Sequence, residues 1–144
     1  MKFIIRNLEP LDYYKEYFNL LQQLTDAPMV SFEIFNQFVN SLSPNHQIFV
    51  IEDISINKIV STGTILIENK LIHGLGQVAH IEDIVTDLKY RGQRLGKDII
   101  EKLIDVAYCK KCYKIILDCS EHNIGFYLKC GFDQKAVQMV KYLI

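Results

Sequence analysis

The sequence predicts an α/β fold built on a mixed, mostly antiparallel sheet, with one parallel β-α-β unit and helices on both faces. Three observations predict it. Two strand-patterned runs, QIFVIED (47–53) and IVSTGTILIE (59–68), are joined by the short link SINK, as in an antiparallel hairpin. A third run, HIEDIVTD (80–87), leads through a glycine-and-basic turn into a helical stripe and then into YKIILDC (113–119). That last run is short and almost continuously apolar, which suits a parallel strand covered on both faces. The full order reads β-α-α-β-β-β-α-β-α-β.

Each element has its own signal. KFIIRN (2–7) is a short first strand. Pro10 suits the first position of a helix, and Tyr14, Tyr17, Phe18, Leu21 and Leu24 follow at three- and four-residue steps. Ser31 caps a second helix that carries Phe35, Phe38, Val39 and Leu42. NKLIHGLGQVA is a loop around Gly74 and Gly76. Leu95, Ile99, Leu103, Val106 and Ala107 mark the main helix. Asn123 opens a brief helix that Gly131 ends, and AVQMVKYLI (136–144) reads as a closing strand.

Composition narrows the function classes. The 144 residues suit one domain, 1–144, with a real core, and no repeat or linker divides them. Sixteen basic and 17 acidic residues leave a net charge of −1, which argues against broad nucleic-acid binding. No apolar run approaches the ~20 residues of a membrane span, and Asn7 and Glu9 interrupt the N-terminus too early for a secretory signal. A cytoplasmic protein is the expectation. Cys109 and Cys112 form a CxxC, but no second ligand pair accompanies it and it ends a helical pattern. Ordinary thiols and no metal are expected there.

The chemistry-bearing stretch is HIEDIVTDLKYRGQRLGK (80–97). Its turn precedes a helix, whose N-terminus presents unpaired N–H groups and partial positive charge. Gly92 and Gly96 allow close backbone approach, and Arg91, Arg94 and Lys97 add charge. The pattern suits a pyrophosphate cradle, and equally a solvated basic turn. It is neither a P-loop nor a dinucleotide fingerprint. Glu82 and Asp118 lie at adjacent strand ends if those strands pair. They are then either an acid–base pair or solvated edge carboxylates. Lys70 and His73 suit a dianion, or an exposed loop.

Arg91-Gly92-Gln93-Arg94-Leu95-Gly96 after a strand, then a helix, a strand and N-I-GFYLKCGF (123–132), resembles the GNAT family of N-acetyltransferases. Arg94 stands where that family often has a glycine. HIEDIV, CYKIILDC, ILIENKLIH and LTDAPMVS extend the likeness over nearly the whole chain, toward the branch that acetylates glucosamine 6-phosphate. The resemblance implies acetyl-CoA as co-substrate, held by Arg91, Gly92, Gln93, Arg94, Leu95, Gly96, Lys97, Asn123, Tyr127 and Lys129. It implies oxyanion donors at the main chain of Ile84 and Val85, and Tyr127 as donor to the leaving sulfur. It assigns Thr25, Lys70, His73, Glu82, Asp83, Tyr113, Lys114 and Asp118 to D-glucosamine 6-phosphate, with a homodimer completing the sugar site. Readings that compete with it are an acetyltransferase for another small amine, a non-catalytic CoA-binding domain, and a small thiol-based module.

Overall fold

Five strands form one sheet in the order β1-β2-β3-β4-β5, in a computed structural model that describes residues 1–144. β1 (Phe3–Asn7), β2 (His46–Asp53), β3 (Lys58–Asn69) and β4 (Gln77–Thr86) pair antiparallel in succession, and β5 (Lys114–Ile116) pairs parallel with β4. Alternation along the central strands sends side chains to two opposite cores. Ile48 and Val50 of β2 join Tyr17, Phe18, Leu20, Phe35 and Val39 on one side. Phe49 and Ile51 join Leu95, Ile99, Ile100, Leu103 and Ala107 on the other. Being covered on both faces is why β2 and β3 read as nearly continuous apolar runs.

The helices are α1 (Tyr17–Leu21), α2 (Phe32–Ser41), α4 (Leu95–Cys109) and α5 (Ile124–Lys129), and α3 (Ile72–Leu75) is a single turn of the expected loop with left-handed backbone, not a regular helix. Ser31 caps α2 as expected, its Oγ accepting from the Ile34 N–H at 3.3 Å. The first helical stripe is not one helix. Pro10–Tyr14 is a 3₁₀ turn, Glu16 is left-handed at φ 60°, and α1 starts only after it. Tyr17 and Phe18 are buried, whereas Tyr14 and Leu24 are exposed. The cause is Asp12, fully buried, which accepts from the Glu9 N–H and two bonds from Arg6 at 2.8 and 2.7 Å. Arg6 also reaches Glu52 at 2.6 Å, and Lys15 reaches Glu52 at 2.9 Å. This four-residue ion cluster holds the turn in a shape that no continuous helix allows.

Two further expectations are corrected. β5 covers only Lys114–Ile116 of the predicted 113–119, and Lys114 and Ile116 are exposed, so it is an edge strand and not a doubly covered one. AVQMVKYLI forms no strand: residues 133–144 are exposed and without regular structure. Strand propensity is realised only against a partner, and no strand of this chain pairs with that segment. β4 conversely starts at Gln77, earlier than predicted, because Gln77 to Ala79 pair with Asn69 to Ile67. No helix is long and apolar enough to cross a membrane.

Candidate active site

The site is set by β4. Pairing between β4 and β5 stops at His80↔Ile116, while β4 runs on to Thr86. The two strands part there and leave a gap with main chain on one wall. β4 is also bulged: Thr62 pairs with Val85 and Thr64 with Glu82, so Asp83 and Ile84 together face a single residue of β3. Asp83 takes a left-handed φ of 54° to make this bulge.

Alternation fixes which groups face the gap. The Asp87 N–H donates to the Val60 carbonyl at 2.9 Å, so Asp87 faces β3. Two residues earlier, Val85 faces β3 as well, and its carbonyl accepts from Ser61 Oγ at 3.2 Å. Ile84, the residue just before Val85, presents its N–H to the β5 side by the same alternation. The two predicted main-chain donors are thus on opposite sides of the strand, and the one at Ile84 looks into the gap.

Three carboxylates gather at this end. Glu82 is exposed beside the bulge, and its carboxyl is held above its ordinary value. Desolvation is the largest cause, followed by the negative charges of Asp83 and Asp118. The structure therefore brings Asp118, beyond the last paired residue of β5, near Glu82 across the gap. Asp118 accepts from Gln138 Nε2 at 3.1 Å. None of the three carboxylates has a cationic partner within 4.0 Å.

Tyr127 of α5 is half-buried against the α4 core and packs edge-on to Phe126 and Phe132. Burial, with Cys119 and Cys130 nearby, pushes its phenol up to about 12, so it is protonated at neutral pH. Cys119 follows Asp118, which brings Tyr127 to the β5 wall of the gap.

The turn before α4 has the predicted form. The first helical bond runs from the Asp98 N–H to the Arg94 carbonyl at 3.0 Å, leaving the N–H groups of Leu95, Gly96 and Lys97 ahead of it. Gly92 is left-handed at φ 83°, and Arg94 takes φ 69° without being a glycine. The Arg94 guanidinium lies back along α4, on Asp98 at 3.3 Å and Glu101 at 3.0 Å. Its charge is engaged by the helix, whereas Arg91 and Lys97 have no ion pair. A Cβ on Gly96 would stand 3.4 Å from Thr86 Oγ1, an ordinary contact, so packing within the chain does not itself require a glycine there. Gln93 is exposed in the turn, and Asn123 and Lys129 are exposed at the two ends of α5. These donors, glycines and charges fit the pyrophosphate and pantetheine of CoA.

Sequence reasoning missed the anchors of this turn. Asp87 accepts from the Lys89 N–H at 2.9 Å and pairs with Lys58 at 2.9 Å. The Tyr90 hydroxyl donates to buried Asp53 at 2.9 Å. Lys58 and Asp53 lie more than twenty residues away from Asp87 and Tyr90, beyond any local pattern.

On the other side of the sheet end, Lys70 is paired with Glu68 at 3.3 Å, and Glu68 also bonds His80 at 2.9 Å. His73 stacks on Tyr113 with ring centroids 4.3 Å apart. His73, Gly74 and Leu75 are all left-handed, at φ 54°, 63° and 61°. Lys114 sits over the Tyr113 ring at 5.8 Å. Thr25 is exposed in the loop after α1. No three His, Cys, Asp or Glu side chains stand close enough to hold a metal ion, and all four cysteines are unpaired.

A sheet splayed beside a bulged strand, with a glycine turn opening the next helix, defines an acyl-CoA-dependent acetyltransferase scaffold. The chain belongs to the acetyltransferase (GNAT) family, whose model matches residues 6–132. Among curated relatives, it is 43% identical to the glucosamine 6-phosphate N-acetyltransferase of Arabidopsis thaliana, over 97% of this chain and 96% of that protein. It is 45% identical to glucosamine 6-phosphate N-acetyltransferase 1 of Dictyostelium discoideum, over 96% and 89%. The crystal structure of the Arabidopsis thaliana enzyme superposes with a TM-score of 0.97 at 41% identity, covering 100% of both chains.

Proposed function

We propose that this chain transfers the acetyl group of acetyl-CoA to the amine of D-glucosamine 6-phosphate, giving N-acetyl-D-glucosamine 6-phosphate and CoA by direct attack. The carrying observation is the 43–45% identity to enzymes of that name over nearly their full length. The uncompensated carboxylates support it chemically. Glu82, Asp83 and Asp118 attract the substrate ammonium, and Glu82 or Asp118 receives its proton directly or through water. The Ile84 N–H donates to the oxygen that gains charge as nitrogen attacks the thioester carbon. As the C–S bond breaks, the Tyr127 hydroxyl gives its proton to sulfur, nitrogen releases its second proton to solvent to leave the neutral amide, and Tyr127 regains a proton from solvent. Lys70 and His73 hold the 6-phosphate, with Thr25 at the substrate side. Arg91, Lys97 and the free N–H groups of the α4 turn hold CoA. A non-catalytic domain would have no use for three unneutralised carboxylates beside a protonated phenol.

We further propose a cytoplasmic homodimer in which Tyr113 and Lys114 reach the partner's sugar. The open β5 edge and the exposed apolar residues Val137, Met139, Val140, Tyr142, Leu143 and Ile144 support an interface. Four unpaired thiols suit a reducing compartment. Thiol release from acetyl-CoA tests the substrate assignment, against glucosamine 6-phosphate, glucosamine, polyamines and lysine peptides. Strong preference for the phosphorylated sugar is expected, and equal rates with glucosamine would refute it. Sedimentation that found a fully active monomer would remove the dimer.

A further inference from the structure

Gly63 is the β3 residue that stands opposite the bulge, alone against both Asp83 and Ile84. It is buried in mid-strand, where glycine gives up packing and backbone entropy. Its φ is not positive, so backbone conformation does not require a glycine. Space does. A Cβ on Gly63 would lie 2.5 Å from Ile84 Cδ1, 2.7 Å from Ile99 Cγ2 and 3.1 Å from Leu103 Cδ1. The first two separations are shorter than any real contact. The Ile84 side chain therefore occupies the volume that a β3 side chain would take, and α4 closes over it.

We infer that Gly63 is a positioning residue for acetyl transfer: its missing side chain is the socket that seats Ile84 and so aims the Ile84 main-chain N–H into the gap. What that N–H does rests on the acetyl-transfer reading above. Where it points rests on the strand alternation described above, and what holds it there on the packing around Gly63. Two neighbours could yield to a methyl group at Gly63, and they are separable. If Ile84 yields through its main chain, and not by rotation of its terminal Cδ1 alone, the bulge turns and the donor is misdirected. If Ile99 yields, α4 lifts and the CoA turn moves with it.

The test is Gly63→Ala, alone and combined with Ile84→Val, which removes Cδ1, or with Ile99→Leu, which removes Cγ2. Complete loss of an oxyanion donor costs about 10²–10³ in kcat, so a misdirected one is expected to cost roughly 10- to 100-fold. Calorimetric affinity for CoA, which lacks the acetyl oxygen, should stay at the wild-type value. Amide resonances of Asp83, Ile84 and Val85 should shift in the isotope-labelled single variant. Both kcat and the resonances should return with Ile84→Val and not with Ile99→Leu. Unchanged kcat and resonances would overturn the inference, and so would a parallel loss of CoA affinity that Ile99→Leu repairs. If Gly63→Ala does not fold, a folded and active Gly63→Ala/Ile84→Val protein supports the socket, and an unfolded one overturns it. A wild-type protein that acetylates no amine would refute the activity, while the apo-protein resonances would still decide the socket.

Discussion

Two groups of carboxylates in this chain have opposite electrostatics. Asp12 and Glu52 are buried, and Arg6 and Lys15 bind them at 2.6 to 2.9 Å. Burial pushes the Glu52 carboxyl up, and the bonds from Lys15 and Arg6 more than reverse that, leaving it below its ordinary value. Glu82, Asp83 and Asp118 are more exposed, yet no side chain neutralises them, and Glu82 is held up. The first group is satisfied by the chain itself and fixes a turn. The second lacks a cation, and on the proposed function the ammonium of an amino sugar would supply one. On that reading, function resides in the charge that the fold leaves unbalanced.

The largest effect is expected from unbalancing the first group. Arg6→Met leaves two buried carboxylates without their main partner and should cost about 3–5 kcal/mol of stability, read by urea unfolding at neutral pH. The sign follows from Glu52: its depressed pKa contributes stability above the ordinary carboxylate range, which is lost as pH falls through the folded value. The mutational loss should therefore shrink in acid. A loss that stays constant with pH would show that packing, and not charge, holds the turn.

Glu82→Gln should do the reverse. It removes a proton acceptor and should lower kcat about 100-fold or more, without loss of stability, because ionised Glu82 is disfavoured by the fold. Steady-state rates and a thermal melt on one preparation check both halves. A destabilised Gln variant would put Glu82 with the structural group.

Lys70→Ala approaches the substrate from its phosphate end. A charge-assisted bond is worth about 1.5–3 kcal/mol, so KM for glucosamine 6-phosphate should rise roughly 10- to 100-fold at ~1.4 kcal/mol per tenfold. KM for acetyl-CoA should barely move. Equal losses with glucosamine and its 6-phosphate would assign Lys70 to its partner Glu68 instead.

The smallest effect is a displacement of the pH profile. Since the raised Glu82 must be ionised to accept a proton, the acid limb of kcat/KM should lie above the ordinary glutamate value. Asp83→Asn removes one of the negative charges and should move that limb to lower pH. A limb that does not move would remove Asp83 as a cause and leave desolvation and Asp118.

The contrast also marks what could be read from sequence. Glu82 and Asp118 were legible as neighbours because their strands were expected to pair, but Glu82 lies within β4, just past the point where pairing with β5 stops, and not at a strand end. The α4 turn was legible because glycines, charges and a helix start are contiguous. The Arg6–Asp12–Glu52–Lys15 cluster was not, since Glu52 lies 46 residues from Arg6. That same cluster broke the predicted helix through Tyr14 and Leu24. AVQMVKYLI has a strand's composition, but composition does not report whether an edge is free to receive it. Gly63 gave a signal that could have been used: a glycine inside a strand often marks a bulge or a close approach.

Because the gap is walled by main chain, part of its chemistry is invisible to side-chain scanning. Replacing Ile84 by alanine removes hydrocarbon and leaves the N–H in place. An alanine scan along β4 would flag Glu82 and rank Ile84 as a packing residue. A main-chain amide can be removed only by an ester linkage or by proline. For an inhibitor aimed at that donor, resistance would have to come through neighbours that redirect the strand, since no codon at position 84 except proline's deletes the group being bound.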